Sequence, residues 1–341
     1  MRKFILAIAL LFGIIFLFSR FTEIQKVAET LQRGVLWFIL AGILIEVIWY
    51  VNVAASYHFI YQSLGMEEKI SRLMLLSLGA YFVNVVAPSV GMSGIAVFVG
   101  DAPYRKHSSA KVTVAGALYV LFDYIGFLFV LILGLAVLAR RNKLDWPEIS
   151  ASVIIVLIAL FLTGILYLGA KSATLLGKFL AWLARKINRF MNPFIHRQYL
   201  SEERALSFAQ EAAEGIHALR SRPRNWIRPL LLALSNKALL VTILMMVFLA
   251  FKVPFSAGTI IAGFSIGYLF LIVSPTPSGI GIVEGVLTLT LTSLRVRFED
   301  AAVIVLAYRG ITFWIPLFFG LAAFRILPRT RVAVKNDQAI P

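Results

Sequence analysis

The stretch Ser274-Pro275-Thr276-Pro277-Ser278-Gly279-Ile280-Gly281-Ile282-Val283-Glu284-Gly285 decides how this chain is read. It separates two apolar arms, 259–273 and 286–294. Neither reaches the roughly 20 residues that a helix needs to cross about 30 Å of hydrocarbon. The prolines lack an N–H and the glycines hold no single conformation, so the helix cannot continue through them. Irregular backbone at membrane depth persists only where protein buries it or a wet cavity borders it. The stretch therefore predicts a re-entrant hairpin, two half-helices whose tips meet inside the membrane.

A weaker copy occurs earlier: Asn84-Val85-Val86-Ala87-Pro88-Ser89-Val90-Gly91-Met92-Ser93-Gly94. An offset of 187 residues places Pro88 on Pro275 and Gly94 on Gly281. Interrupted apolar segments in corresponding places of two halves point to a transport site. Two hairpins are expected, 73–100 and 259–294. Pro88, Gly91, Gly94, Pro275, Pro277, Gly279 and Gly281 are their hinge positions.

Composition sets the class. The 341 residues are 60% hydrophobic and 15% charged, with mean hydropathy +0.86. A soluble domain is nearer half apolar and a quarter charged, so the chain reads as an all-α integral membrane protein. Having no cysteine, it has no disulfide, thiolate metal site or cysteine nucleophile. The net charge of +16 resides mainly in loops beside apolar runs, so anionic lipid is the expected partner rather than nucleic acid.

Working outward, apolar runs at 4–18, 35–61, 112–139, 151–170, 230–250 and 301–327 supply six crossings. The first follows Met1-Arg2-Lys3 but precedes no small-x-small cleavage site, so it reads as an uncleaved span. Cytoplasmic loops hold the excess of Lys and Arg. With both hairpins re-entrant and the N-terminus inside, 22 such residues lie inside and 9 outside. If each hairpin crossed instead, the same start would leave 12 inside and 19 outside. The re-entrant arrangement, with both termini cytoplasmic, fits the rule. It makes 35–139 and 230–327 an inverted-topology repeat around a midplane site. The polar segment 171–229 contains an amphipathic stretch, 172–191, with leucines on one side and Lys178, Arg185, Lys186 and Arg189 on the other. It lies either in the cytoplasmic headgroup layer, on anionic lipid, or against the protein's own cytoplasmic face. A second helix is expected from Ser201 to about Leu219 and a polar tail over 328–341.

Four scattered histidines, no Walker-type loop and no nucleophile elbow leave no expected metal, cofactor or catalytic constellation. Intramembrane charges carry more information, because they are costly and face a partner or an aqueous cavity. Asp123 and Arg309 sit in corresponding spans, offset by 186, and are expected to approach each other. They form either a structural pair or a site where the arginine fork holds a phosphate. Glu284, opening a half-helix, is a capping acid or an ion-pair partner. Glu46 and Lys237 are weaker candidates, Lys237 within snorkelling reach of the cytoplasmic face. The Asn84 amide suits freed backbone groups. The hydroxyls of Ser89, Ser93, Ser274, Thr276 and Ser278 suit headgroup oxygens or local backbone.

The run Pro275 to Glu284, followed by Tyr308-Arg309 and Pro316, resembles the lysylphosphatidylglycerol synthase transmembrane family. That is the flippase-like membrane portion of bacterial aminoacyl-phosphatidylglycerol proteins. Asn84, Pro88, Gly91, Gly94 and Asp123 resemble its first-half pattern, and the likeness covers roughly 35–327. Ser278 departs from it, standing where the family usually has glycine. No soluble synthase domain is expected in this chain, so the resemblance implies movement of a lipid rather than its synthesis. The expected function is translocation of an anionic lipid or lipid-linked intermediate between leaflets of the cytoplasmic membrane, passive or ion-coupled, with Arg309 and Tyr308 at the site. The alternatives are a non-transporting subunit that recruits a lipid-modifying enzyme, and a membrane-embedded lipid transferase.

Overall fold

The computed structural model describes residues 21–86, 93–195, 202–220 and 226–337. The expected first span 4–18, the hinge positions Pro88 and Gly91, Ser89, and Ser201 lie outside the described residues. Among those described, every element is helical. α1 (Phe21–Arg33) precedes α2 (Leu36–Ser63), α3 (Ile70–Val86) and the short α4 (Ile95–Asp101). α5 (Ser109–Arg140) and α6 (Trp146–Lys171) follow, then α7 (Ala173–Ile195) and α8 (Glu202–Arg220). The second half holds α9 (Ile227–Ala250), α10 (Ala257–Val273), α11 (Ile282–Ser293), α12 (Phe298–Arg309) and α13 (Ile315–Asp337), the last two joined by a π-helical turn over Gly310–Trp314.

Among the described residues, five segments are long and apolar enough to cross a bilayer: α2, α5, α6, α9, and α12 with the first part of α13. Their side chains are apolar nearly all round, which suits helices that face lipid on one side and other helices on the other. Polar caps fix several starts. Ser108 accepts from the Lys111 N–H at α5, Ser256 from the Thr259 N–H at α10, and Asp145 with Glu148 forms a capping box at α6.

α3 and α10 have 17 residues each, about 26 Å at 1.5 Å per residue, and both end at a break. In each half the helix that follows packs back on the one before, α4 on α3 and α11 on α10. Arg72 at the start of α3 pairs with Asp101 at the end of α4, 2.5 Å apart, and Glu68 meets Arg105 at 3.4 Å. In the second hairpin α10 and α11 run antiparallel, Gly263 against Leu291 and Gly267 against Leu287.

The two halves match in register. α2 and α9 end 187 residues apart, at Ser63 and Ala250. α3 and α10 share that offset at both ends, and α4 and α11 share it at their starts. They also exchange partners, since α3 packs on α13 and α10 packs on α5. A glycine notch permits each crossing. A Cβ on Gly134 of α5 would lie 2.3 Å from Ser265 Oγ of α10, and one on Gly320 of α13 would lie 2.7 Å from the Leu78 carbonyl of α3. Gly134 and Gly320 are 186 apart and Leu78 and Ser265 are 187 apart, so the same notch occurs in both halves. Between the halves runs the α2–α9 seam. There the Asn52 amide donates to the Leu232 carbonyl, Ser235 Oγ and Asn236 Oδ1 at 2.7–3.1 Å.

α7 and α8 pack on each other, and α8 also packs on α5 and α6. Leu176, Ala181 and Ala184 of α7 are buried, whereas Trp182 and Leu183 stay exposed with Lys186 Nζ 5.3 Å from the Trp182 ring. The apolar stripe of this helix is thus shared between the protein and its surroundings.

Candidate functional site

The tip of the second hairpin is a turn with three positive-φ positions within four residues. Ser278, Gly279 and Gly281 have φ of 48°, 73° and 81°. At Gly279 a side chain is also excluded by space, because a Cβ would lie 2.3 Å from Val283 Cγ2. The neighbouring hydroxyls serve the turn itself. Ser274 Oγ accepts from the Thr276 N–H at 3.2 Å, and Thr276 Oγ1 donates to the Ile280 carbonyl at 3.0 Å. In the first hairpin Asn84 does the same work, its Oδ1 accepting from the Gly94 N–H at 2.6 Å and from Ser93 Oγ at 2.7 Å. These bonds satisfy backbone and side-chain groups that a broken helix sets free.

Glu284 divides its two oxygens. Oε2 accepts from the Gly281 N–H at 2.7 Å, capping α11, while Oε1 accepts from Arg309 Nε at 2.7 Å. The capping and ion-pair roles are therefore one arrangement. Arg309 Nη2 donates to the Ser278 carbonyl at 2.8 Å, and its guanidinium lies 4.4 Å from the Phe313 ring centre. Arg309 is placed by the end of α12, just before the π turn. Pro316 has no N–H for the carbonyl four residues back, Thr312 O, and Tyr81 Oη of α3 donates to that carbonyl at 3.2 Å.

The expected pairing of Asp123 with Arg309 is not what the fold makes. Asp123 Oδ1 accepts from Lys237 Nζ at 2.6 Å, and its Oδ2 accepts from Tyr268 Oη at 3.1 Å. The reason is a notch one turn away, where Gly126 lets α5 close on the Ala233 carbonyl of α9; a Cβ there would lie 2.9 Å from it. That approach carries Lys237 onto Asp123. Lys237 is accordingly 0% exposed rather than snorkelling to the cytoplasmic face, with Tyr268 Oη 2.6 Å from its Nζ.

Asp123 and Arg309 nevertheless share a space. Both line a cavity of about 260 Å³ between the two halves, together with Asn84 from the first hairpin and Ser274, Thr276 and Ser278 from the second. Tyr308 lines it as well, whereas Ser93 stays at the hairpin turn. Glu46 of α2, 4% exposed, also borders it, and its Oε2 has no hydrogen-bond partner. Among the described residues no three His, Asp or Glu side chains gather in a way that holds a metal ion.

The sequence profile of the lysylphosphatidylglycerol synthase TM region matches residues 4–320. This chain belongs to that family. It is also 23% identical over 313 residues to a UPF0104 membrane protein of Methanocaldococcus jannaschii, covering 90% of this chain and 89% of the relative. The protein is thus a multi-pass member of the lysylphosphatidylglycerol synthase TM family. At Ser278 the backbone φ is 48°, a region that glycine enters freely and other residues enter at a cost.

Sequence reasoning missed the aromatic lining. Trp49, Tyr81, Tyr119, Tyr124, Phe264 and Tyr268 all border the cavity of this family member. The available signal was tyrosine placed deep within apolar spans, where its hydroxyl requires a buried polar neighbour.

Proposed function

We propose that the protein moves a phosphate-bearing lipid between leaflets, its headgroup passing through the cavity between the two hairpin tips. The observation that carries this reading is that one cavity, lined from both halves, is bordered by Asp123 and Arg309, one member of each of two ion pairs. Hairpin arms too short to cross, with entry and exit held together by Arg72–Asp101, support two re-entrant segments. The shared 187-residue register and exchanged packing support an inverted repeat whose rocking alternates access to the cavity. The membership in a family named for lysylphosphatidylglycerol synthase supports a lipid substrate.

Arg309 is the headgroup contact. Glu284 and Ser278 engage two of its five N–H donors, and the residue lines the cavity with three further donors. Phosphate oxygens accept from such a fork. The aromatic walls give the acyl-proximal glycerol an amphipathic surface.

The test is reconstitution of the purified protein in vesicles with tail-labelled fluorescent phosphatidylglycerol. Exposure of the label to a membrane-impermeant quencher is followed with time. Protein-dependent loss of the inner-leaflet label, reduced in Arg309→Gln, is expected. An inert protein that co-purifies with a lipid-modifying enzyme would favour a recruiting subunit and overturn transport.

A further inference from the structure

The charged groups around the cavity cancel in pairs except for one. Lys237 answers Asp123 and Arg309 answers Glu284, while Glu46 has no ion-pair partner among the described residues. Its Oε2 also lacks any hydrogen-bond partner, as do Trp49 Nε1 and Tyr50 Oη one turn along α2. The titratable groups that interact electrostatically with Glu46 are phenols: Tyr50 on its own helix, Tyr81 from α3 and Tyr308 from α12. Elsewhere around the cavity stand Arg309 from α12, Asp123, Tyr119 and Tyr124 from α5, and Tyr268 from α10. Lys237 of α9 is committed to Asp123.

An ionised carboxylate removed from water is tolerated only with a cation or a full set of donors. Glu46 Oε2 has neither. A metal ion needs several oxygen ligands in a cluster, which the described residues do not provide here. A proton needs one oxygen.

We propose that Glu46 is a proton-binding site that couples lipid movement to a pH difference across the membrane. The proposal rests on the transport reading above and adds its driving ion. With the two pairs compensated, Glu46 alone sets the sign of the cavity. Bearing a proton, it leaves the cavity neutral and open to a headgroup phosphate at Arg309. Without one, it adds a negative charge that repels that phosphate. The O–H bond forms with a proton taken from water on the side where the cavity is open. It breaks by returning that proton to water on the other side, and no further co-reactant takes part. Lipid and proton travel in the same direction.

The test uses the full chain in vesicles of phosphatidylethanolamine and phosphatidylglycerol carrying tail-labelled phosphatidylglycerol. A one-unit pH gradient biases movement by up to about tenfold for one proton per lipid. Wild type is expected to move label faster from the acid side, and a protonophore is expected to remove the bias. Glu46→Gln is expected to show no bias at all. Should that variant not purify folded, Glu46→Asp, which keeps a titrating carboxyl at shorter reach, is expected to retain a reduced bias. Infrared difference spectra of wild type minus Glu46→Gln give a readout independent of transport, with a protonated-carboxyl band expected at Glu46. Wild-type movement that ignores the gradient, a bias that persists in Glu46→Gln, or absence of that band overturns the coupling. No protein-dependent lipid movement in any vesicle overturns the transport reading itself, and the coupling with it.

Discussion

Lys237 Nζ lies 2.6 Å from Asp123 Oδ1, joining α9 of the second half to α5 of the first at a point with no access to solvent for the lysine. Two buried charges of opposite sign, with Tyr268 Oη bonded to both, form one unit. Removing either partner leaves the other charged and unpaired.

Lys237→Ala is therefore expected to lower stability by roughly 3–5 kcal/mol, the cost of stranding a buried charge. Lys237→Met combined with Asp123→Asn is expected to recover most of that loss. Thermal unfolding in detergent measures both. A double variant as unstable as the single one would show that the two residues do not act as a pair.

Arg309 reaches two acceptors in different directions, Glu284 Oε1 and the Ser278 carbonyl, through separate nitrogens. A lysine has one nitrogen and no planar fork. Arg309→Lys is expected to lose one charge-assisted bond, about 1.5–3 kcal/mol before solvent screening at the part-exposed Glu284, and to slow lipid movement. Unchanged transport in a folded Arg309→Lys would remove the arginine from headgroup binding.

Two glycines near the same tip separate strain from propensity. Gly279 has φ of 73° and no room for a Cβ beside Val283, whereas Gly285 sits inside α11 with open space around it. Gly279→Ala is expected to destabilise by at least ~1–2 kcal/mol. Gly285→Ala is expected to stabilise by up to ~1 kcal/mol through helix propensity. Melting temperatures that move in the same direction would contradict the turn geometry.

The crossing of α5 and α10 depends on Gly134. Gly134→Ala places a methyl 2.4 Å from Ser265 Cβ and is expected to cost about 1–3 kcal/mol by overpacking. Ser265→Gly removes the obstructing atoms, so the double variant is expected to recover part of the loss. A simple sum of the two single effects, measured by unfolding, would show that the helices do not meet there.

Topology is open to single-cysteine labelling, since the chain has no native cysteine. Glu67→Cys and Lys106→Cys, both exposed and flanking the first hairpin, are expected to react from one side of the membrane. Phe255→Cys and Arg297→Cys, flanking the second, are expected to react from the opposite side. Members of either couple reacting from different sides would rule out re-entrant hairpins.

Much of the architecture is written in local chemistry. Hydropathy marks the spans because each residue pays its own transfer cost, whatever its neighbours. Proline and glycine mark the breaks because the missing N–H and the missing Cβ act on their own peptide. Hence Pro275–Gly281 locates the second tip, and the offset of 187 between Pro88 and Pro275 recurs in the ends of α3 and α10. Pairing is another matter. Asp123 and Arg309 correspond in sequence, yet Asp123 took Lys237 and Arg309 took Glu284. The choice was made by how closely helices approach, through notches such as Gly126 against Ala233. The aromatic walls and the unpartnered Glu46 likewise belong to a cavity that exists only once both halves meet. The sequence by itself determined where helices form and break, since those energies are local. Only the tertiary structure decided which buried charges neutralise one another, because that energy depends on distances between side chains on different helices, 25 positions apart in one pair and 114 in the other.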